Sequence, residues 1–171
     1  MIQRIRQAMK DRDKGFTLVE LLVVVIIIGI LASVAIPVFL GQRQRAYDAS
    51  VQADLKAFAT GAETSFASNL AYPSAATGFA TNGATTPISS KGTSYVAYSV
   101  PSGTNAGYLI YGKHSDSPTV FAVSSWNGGA PVKTSLATLP TAVPTTAALQ
   151  GATTLSVPST GLAAAGSWTA P

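Results

Sequence analysis

The pattern of apolar and polar positions divides the chain sharply. From Leu21 to Leu40 no residue is charged, and Leu, Val, Ile and Ala dominate. Twenty helical residues span about 30 Å, the thickness of a bilayer's hydrocarbon core. Gly29 and Pro37 interrupt the run. Pro37 cannot donate to the carbonyl of Ser33, which predicts a weakened or broken helix there. After Pro37 the apolar residues thin to a stripe: Tyr47, Val51, Leu55, Phe58, Ala62 and Phe66. Steps of three and four place them on one helix face, with Asp48, Gln52, Lys56 and Glu63 off it. Asn69 and Pro73 are stop signals. The pattern predicts a helix from about Thr17 to Ser68, roughly 75–80 Å long. Its first half is greasy all round and its second half on one side.

Three strand-like runs follow, over residues 94–100, 108–114 and 119–126. In the first, Val96, Tyr98 and Val100 alternate with Tyr95, Ala97 and Ser99. The short connections 101–107 and 115–118 suggest an antiparallel meander packed on the helix stripe. The expected fold class is α+β: a long N-terminal helix, half apolar and half amphipathic, against a small antiparallel sheet. The expected division is a leader at 1–15, an apolar helix at 16–40, an amphipathic helix at 41–69 and a β domain at 70–130. Residues 131–171 form a Thr/Ala/Pro-rich segment read as irregular, with 154–157 as a candidate edge strand.

Composition changes this picture in two ways. Mean hydropathy is +0.30 and only 11% of the 171 residues are charged, too apolar for an ordinary soluble domain. The formal charge of +4 is mostly local, because Arg4, Arg6, Lys10, Arg12 and Lys14 precede the apolar run. Beyond residue 15, six Lys/Arg face five Asp/Glu. Basic residues before an apolar helix stay cytoplasmic, so they report topology and not a nucleic-acid ligand. There is no cysteine and one histidine, His114. Disulfides, thiolate chemistry and a histidine metal cluster are excluded, and no cofactor is expected.

The stretch Lys14-Gly15-Phe16-Thr17-Leu18-Val19-Glu20-Leu21-Leu22-Val23 closely resembles the processing site of type IV prepilins and type II secretion pseudopilins. In that family a membrane-embedded aspartyl peptidase cuts after the glycine and methylates the new N terminus. The resemblance covers residues 10 to 45. It implies cleavage between Gly15 and Phe16, N-methylation of Phe16 and an assembly role for Glu20. It also implies a pilin-like fold, an inner-membrane assembly platform, a homopolymer as the end state, and lipid around the helix before assembly. The subunit would be a single-pass membrane protein first and part of a surface filament afterwards, serving adhesion or motility. Many family members staple the C-terminal region with a disulfide; this chain must rely on packing.

An acid inside an apolar run is a functional candidate by default. Its inferred partner is the Phe16 amine of a neighbouring subunit, which would fix the axial register. Thr17-Leu18-Val19-Glu20 is also a capping-box pattern, and the two roles can coexist. Other readings are a secretory signal cut after Ser33-Val34-Ala35, a simple anchor, or a minor pilin or pseudopilin of a secretion or DNA-uptake machine. A membrane-tethered binding module, with Trp126, Trp168 and the strand tyrosines as a stacking surface for DNA or sugar, is a reading of another class. The charge-poor outer region argues against nucleic-acid binding. No constellation of residues suggests an enzyme.

Overall fold

The computed structural model describes residues 16–79, 87–141 and 163–169. The expected leader, with Gly15, and the candidate strand at 154–157 lie outside the described residues. The chain divides into two compact units, Met1–Gln42 and Arg43–Pro171.

Helix α1 runs from Leu18 to Asn69 and passes through Gly29 and Pro37 without interruption. The expected break is absent for a physical reason. Proline removes a single backbone donor, and the hydrogen-bonded turns before and after it continue the helix around that one gap. The helix stops where its capping residue turns left-handed: Leu70 adopts φ 54°, and its N–H donates to the Phe66 carbonyl at 2.8 Å. Glycine usually takes that position, so a leucine there carries strain on the order of 1 kcal/mol.

Within the first unit every large apolar side chain from Phe16 to Leu40 is at least 47% exposed. By length and composition this helix could cross a membrane. So much apolar surface in water is costly, which calls for lipid or other helices around it.

Among the described residues of the second unit, five strands form one antiparallel sheet: β1 Thr93–Val100, β2 Gly107–His114, β3 Val120–Ser124, β4 Val132–Lys133 and β5 Ala163–Thr169. Their order is β4-β3-β2-β1-β5. The first three follow the expected runs within a residue or two, and Ser125–Asn127 turn into a 3-10 helix where the third run was expected to continue. The fifth is new. It comes from the tail read as irregular, and pairs with the free side of β1. A bulge between Ala97 and Tyr98 shifts its register. Gly166, at φ 137°, lies beside that shift, where other residues would be strained.

Both faces of the sheet are covered. Tyr95, Ala97, Tyr108, Ile110, Phe121, Val123 and Ala165 pack with Val51, Leu55, Phe58, Ala59 and Ala62 of α1. On the opposite face, Tyr98, Leu109, Tyr111, Val120 and Ala122 pack with Val96, Trp126, Val132, Leu136 and Leu139. The segment after β4 thus shields a face that the meander alone would leave wet. Close approach to the helix demands a glycine in β2. A Cβ on Gly112 would meet the Tyr95 ring at 2.5 Å and Val51 Cγ1 at 2.9 Å.

Burial pushes the Tyr95, Tyr108 and Tyr111 hydroxyls well above the usual phenol range. The Asp54 carboxylate adds to this at Tyr95 and Glu63 adds at Tyr108. A phenol with a raised folded-state pKa stabilises the fold fully below about pH 10. That contribution is lost as pH rises toward the folded-state value. Absorbance at 295 nm should therefore rise together with loss of β-sheet circular dichroism, above pH ~10. Smooth ionisation of these tyrosines near pH 10 with the sheet intact would show that they are wet.

Candidate processing and assembly site

The expected processing site sits at the start of α1. Thr17 precedes the first helical residue, and its side chain and that of Glu20 close on each other. The Thr17 N–H donates to Glu20 Oε2 at 2.9 Å, and the Thr17 hydroxyl donates to the same oxygen at 2.8 Å. In return the Glu20 N–H donates to Thr17 Oγ1 at 3.2 Å. This is a complete capping box, which satisfies donors that a helix start leaves without partners. A carboxylate in the first turn also complements the helix dipole. A cut between Gly15 and Phe16 leaves the Thr17 amide in place, so the box survives it.

Phe16, the residue expected to follow the cut, is 90% exposed. Glu20 is exposed too, and its Oε1 takes no part in the three bonds above. The site therefore combines an exposed Phe16, a charged group held at the helix tip and an apolar surface directly below. Gly29 has no atom within 4 Å of a built Cβ, and Pro37 is exposed on the same helix. Among the described residues neither belongs to a cluster of functional groups.

The described side chains do not form the alternative stacking surface, and the Trp168 side chain lies outside them. Tyr95, Tyr98, Tyr108 and Tyr111 are all buried, and Trp126 packs half-buried against the second core. His114 is buried as well. Its ring stacks on Tyr47 at 4.0 Å, and its Nδ1 accepts the Asp116 N–H at 3.0 Å. One important residue escaped sequence reasoning. Asp54, three residues after Val51 and four before Phe58, lies at the edge of the stripe. It accepts the Ser90 N–H at 2.6 Å, the Ser90 hydroxyl at 3.1 Å and the Tyr95 hydroxyl at 2.7 Å. It pins the start of the sheet to the helix. Its place at the stripe's margin was the available signal.

Comparison with known proteins bears directly on the helix tip. Residues 10–36 match the prokaryotic N-terminal methylation motif. The chain is 43% identical over 61 residues to the type IV major pilin protein PilA of Myxococcus xanthus, covering 36% of this chain and 28% of that one. It is 37% identical over 65 residues to the type II secretion system core protein G of Pseudomonas aeruginosa, covering 38% and 46%. It is 45% identical over 56 residues to the type IV major fimbrial protein FimA of Dichelobacter nodosus, covering 33% and 36%. The chain thus spans less than half the length of these relatives. The resemblance to type IV pilins and secretion pseudopilins is real, and it rests on the N-terminal part of the chain.

Proposed function

We propose that the chain is a structural subunit of a type IV pilus-like surface filament, made as a membrane-anchored precursor and clipped between Gly15 and Phe16. The observation that carries this is the methylation motif at residues 10–36 leading into a helix whose apolar half is exposed all round. A prepilin peptidase would cut on the cytoplasmic side, where the basic leader keeps the N terminus, and methylate the Phe16 amine. The anchor stays on the product because the cut precedes it.

Assembly then exchanges lipid for neighbouring helices around the apolar half. Glu20 would meet the Phe16 amine of an adjacent subunit, offsetting the cost of leaving an acid in an apolar filament core. The tyrosine-rich sheet domains would coat the outside. This role is structural and not catalytic.

Gly15→Val should abolish cleavage, because a branched side chain replaces the residue that the peptidase accepts. Immunoblotting should show only the longer precursor, and filaments should be absent. Normal maturation of the variant would contradict the assignment of Gly15.

A second reading, a pseudopilin of a type II secretion system, is favoured by the match to core protein G. Abundance separates the two. A major pilin dominates material sheared from the cell surface, and a pseudopilin does not.

A further inference from the structure

The first charges beyond the apolar run are Arg43 and Arg45. Residues 21–42 carry none, and as helix they rise roughly 33 Å, close to the hydrocarbon thickness of a bilayer. With Glu20 at one boundary, Arg43 and Arg45 fall in the headgroup layer at the other. We propose that these two arginines form a cationic collar that binds the phosphates of anionic lipids on the side of the membrane away from the leader. The inference rests on the membrane-anchored precursor proposed above.

The local geometry suits this role. Arg43 Nε donates to the Tyr47 hydroxyl at 2.6 Å, and its guanidinium carbon lies 5.3 Å from the Tyr47 ring centroid. That contact engages Nε and leaves the two terminal amino groups for an external acceptor. Tyr47 is itself stacked on His114 at the end of β2, so the arginine is held by an ordered platform. Arg45 is exposed. Among the described residues neither arginine is paired with a carboxylate. The nearby acid, Asp48, instead accepts the Ser117 hydroxyl at 2.6 Å. Two guanidinium groups within about a turn and a half of Leu40, unpaired with any carboxylate among the described residues, match the planar bidentate chemistry of a phosphodiester. Tyr47 is also the kind of amphipathic ring favoured at membrane interfaces.

The collar would set the depth at which the anchored subunit waits and would resist its withdrawal into a filament. Each arginine near an anionic surface is expected to raise lipid affinity about fivefold. The test uses the full chain reconstituted in phosphatidylcholine vesicles containing spin-labelled phosphatidylglycerol or spin-labelled phosphatidylcholine. The motionally restricted fraction of each label gives the selectivity. The basic leader contributes equally to the chain and to its R43Q/R45Q variant, so the difference isolates the collar. The variant should lose at least threefold in selectivity for phosphatidylglycerol, with unchanged thermal unfolding of the sheet domain. Equal selectivity in two proteins that both resist carbonate extraction would overturn the collar while leaving the anchor intact. A chain that carbonate extracts would instead overturn the anchor on which the collar depends.

Discussion

Glu20→Ala should leave cleavage at Gly15 intact and lower the yield of sheared filaments by about tenfold or more. The apolar half of α1 needs company, and lipid or other helices will do equally well as apolar surroundings. Apolar matching alone cannot tell one axial register from the next. A single acid beside a neighbouring amine can, because a mismatched register leaves both charges buried without partners. The capping box complicates a test by alanine alone, since alanine removes both the charge and the acceptor for the Thr17 N–H and hydroxyl. Glu20→Gln separates the two. Glutamine keeps an oxygen for the box but carries no charge. If charge pairing directs assembly, Glu20→Gln should fail nearly as badly as Glu20→Ala. If capping is the whole role, glutamine should assemble like the parent chain. Filament counts by electron microscopy, set against cleaved subunit on immunoblots, distinguish these outcomes.

The second large effect is expected in the outer unit. Phe58 is fully buried where α1 meets the sheet, and its ring meets Tyr95 edge-on at a centroid distance of 4.8 Å. Phe58→Ala removes that contact and opens a cavity between helix and sheet, at a cost of about 3–5 kcal/mol. A domain of this size has total stability on the order of 5–15 kcal/mol, and this one has no disulfide to limit the loss. The melting temperature should fall by roughly 10–20 °C. Leu31→Ala is the control. Leu31 lies in the apolar half and is 65% exposed, so its loss should leave that melting temperature unchanged. Thermal unfolding by circular dichroism in detergent tests both. Similar melting for Phe58→Ala and the parent would mean that the helix stripe is not the sheet's main support.

These two expectations draw on parts of the chain that were unequally legible. The helix could be read because its signals are local: twenty residues without charge, then a stripe spaced for one face. Val51, Leu55, Phe58 and Ala62 all proved buried, while Tyr47 and Phe66 at its ends are half-buried and stack on His114 and Tyr72. The first three strands were legible from β-branched and aromatic residues between turn formers. Which face met the helix was not. Both faces are buried, so alternation along β1 carried no inside and outside, and Tyr95 and Tyr98 face different cores.

Strand β5 was invisible for another reason. Its sequence, Ala163-Ala164-Ala165-Gly166-Ser167-Trp168-Thr169, has little intrinsic strand preference. Its conformation comes from pairing with β1, some seventy residues earlier in the chain. Helix continuity through Pro37 shows the converse, where one missing donor does not end a long helix whose other turns are intact. At the helix tip, the motif and the capping box occupy the same residues, so local spacing could propose both roles and choose neither. The geometry makes the box concrete and leaves one carboxylate oxygen outside it.

The central claim is that this chain is clipped before Phe16 and then polymerised. Mass spectrometry of material sheared from the cell surface tests it most directly. The account predicts an abundant product beginning at Phe16, carrying a methyl group on its amine and extending through the sheet domain. An intact chain beginning at Met1, or a product beginning at Ile36 as a secretory cut would leave it, would contradict the account.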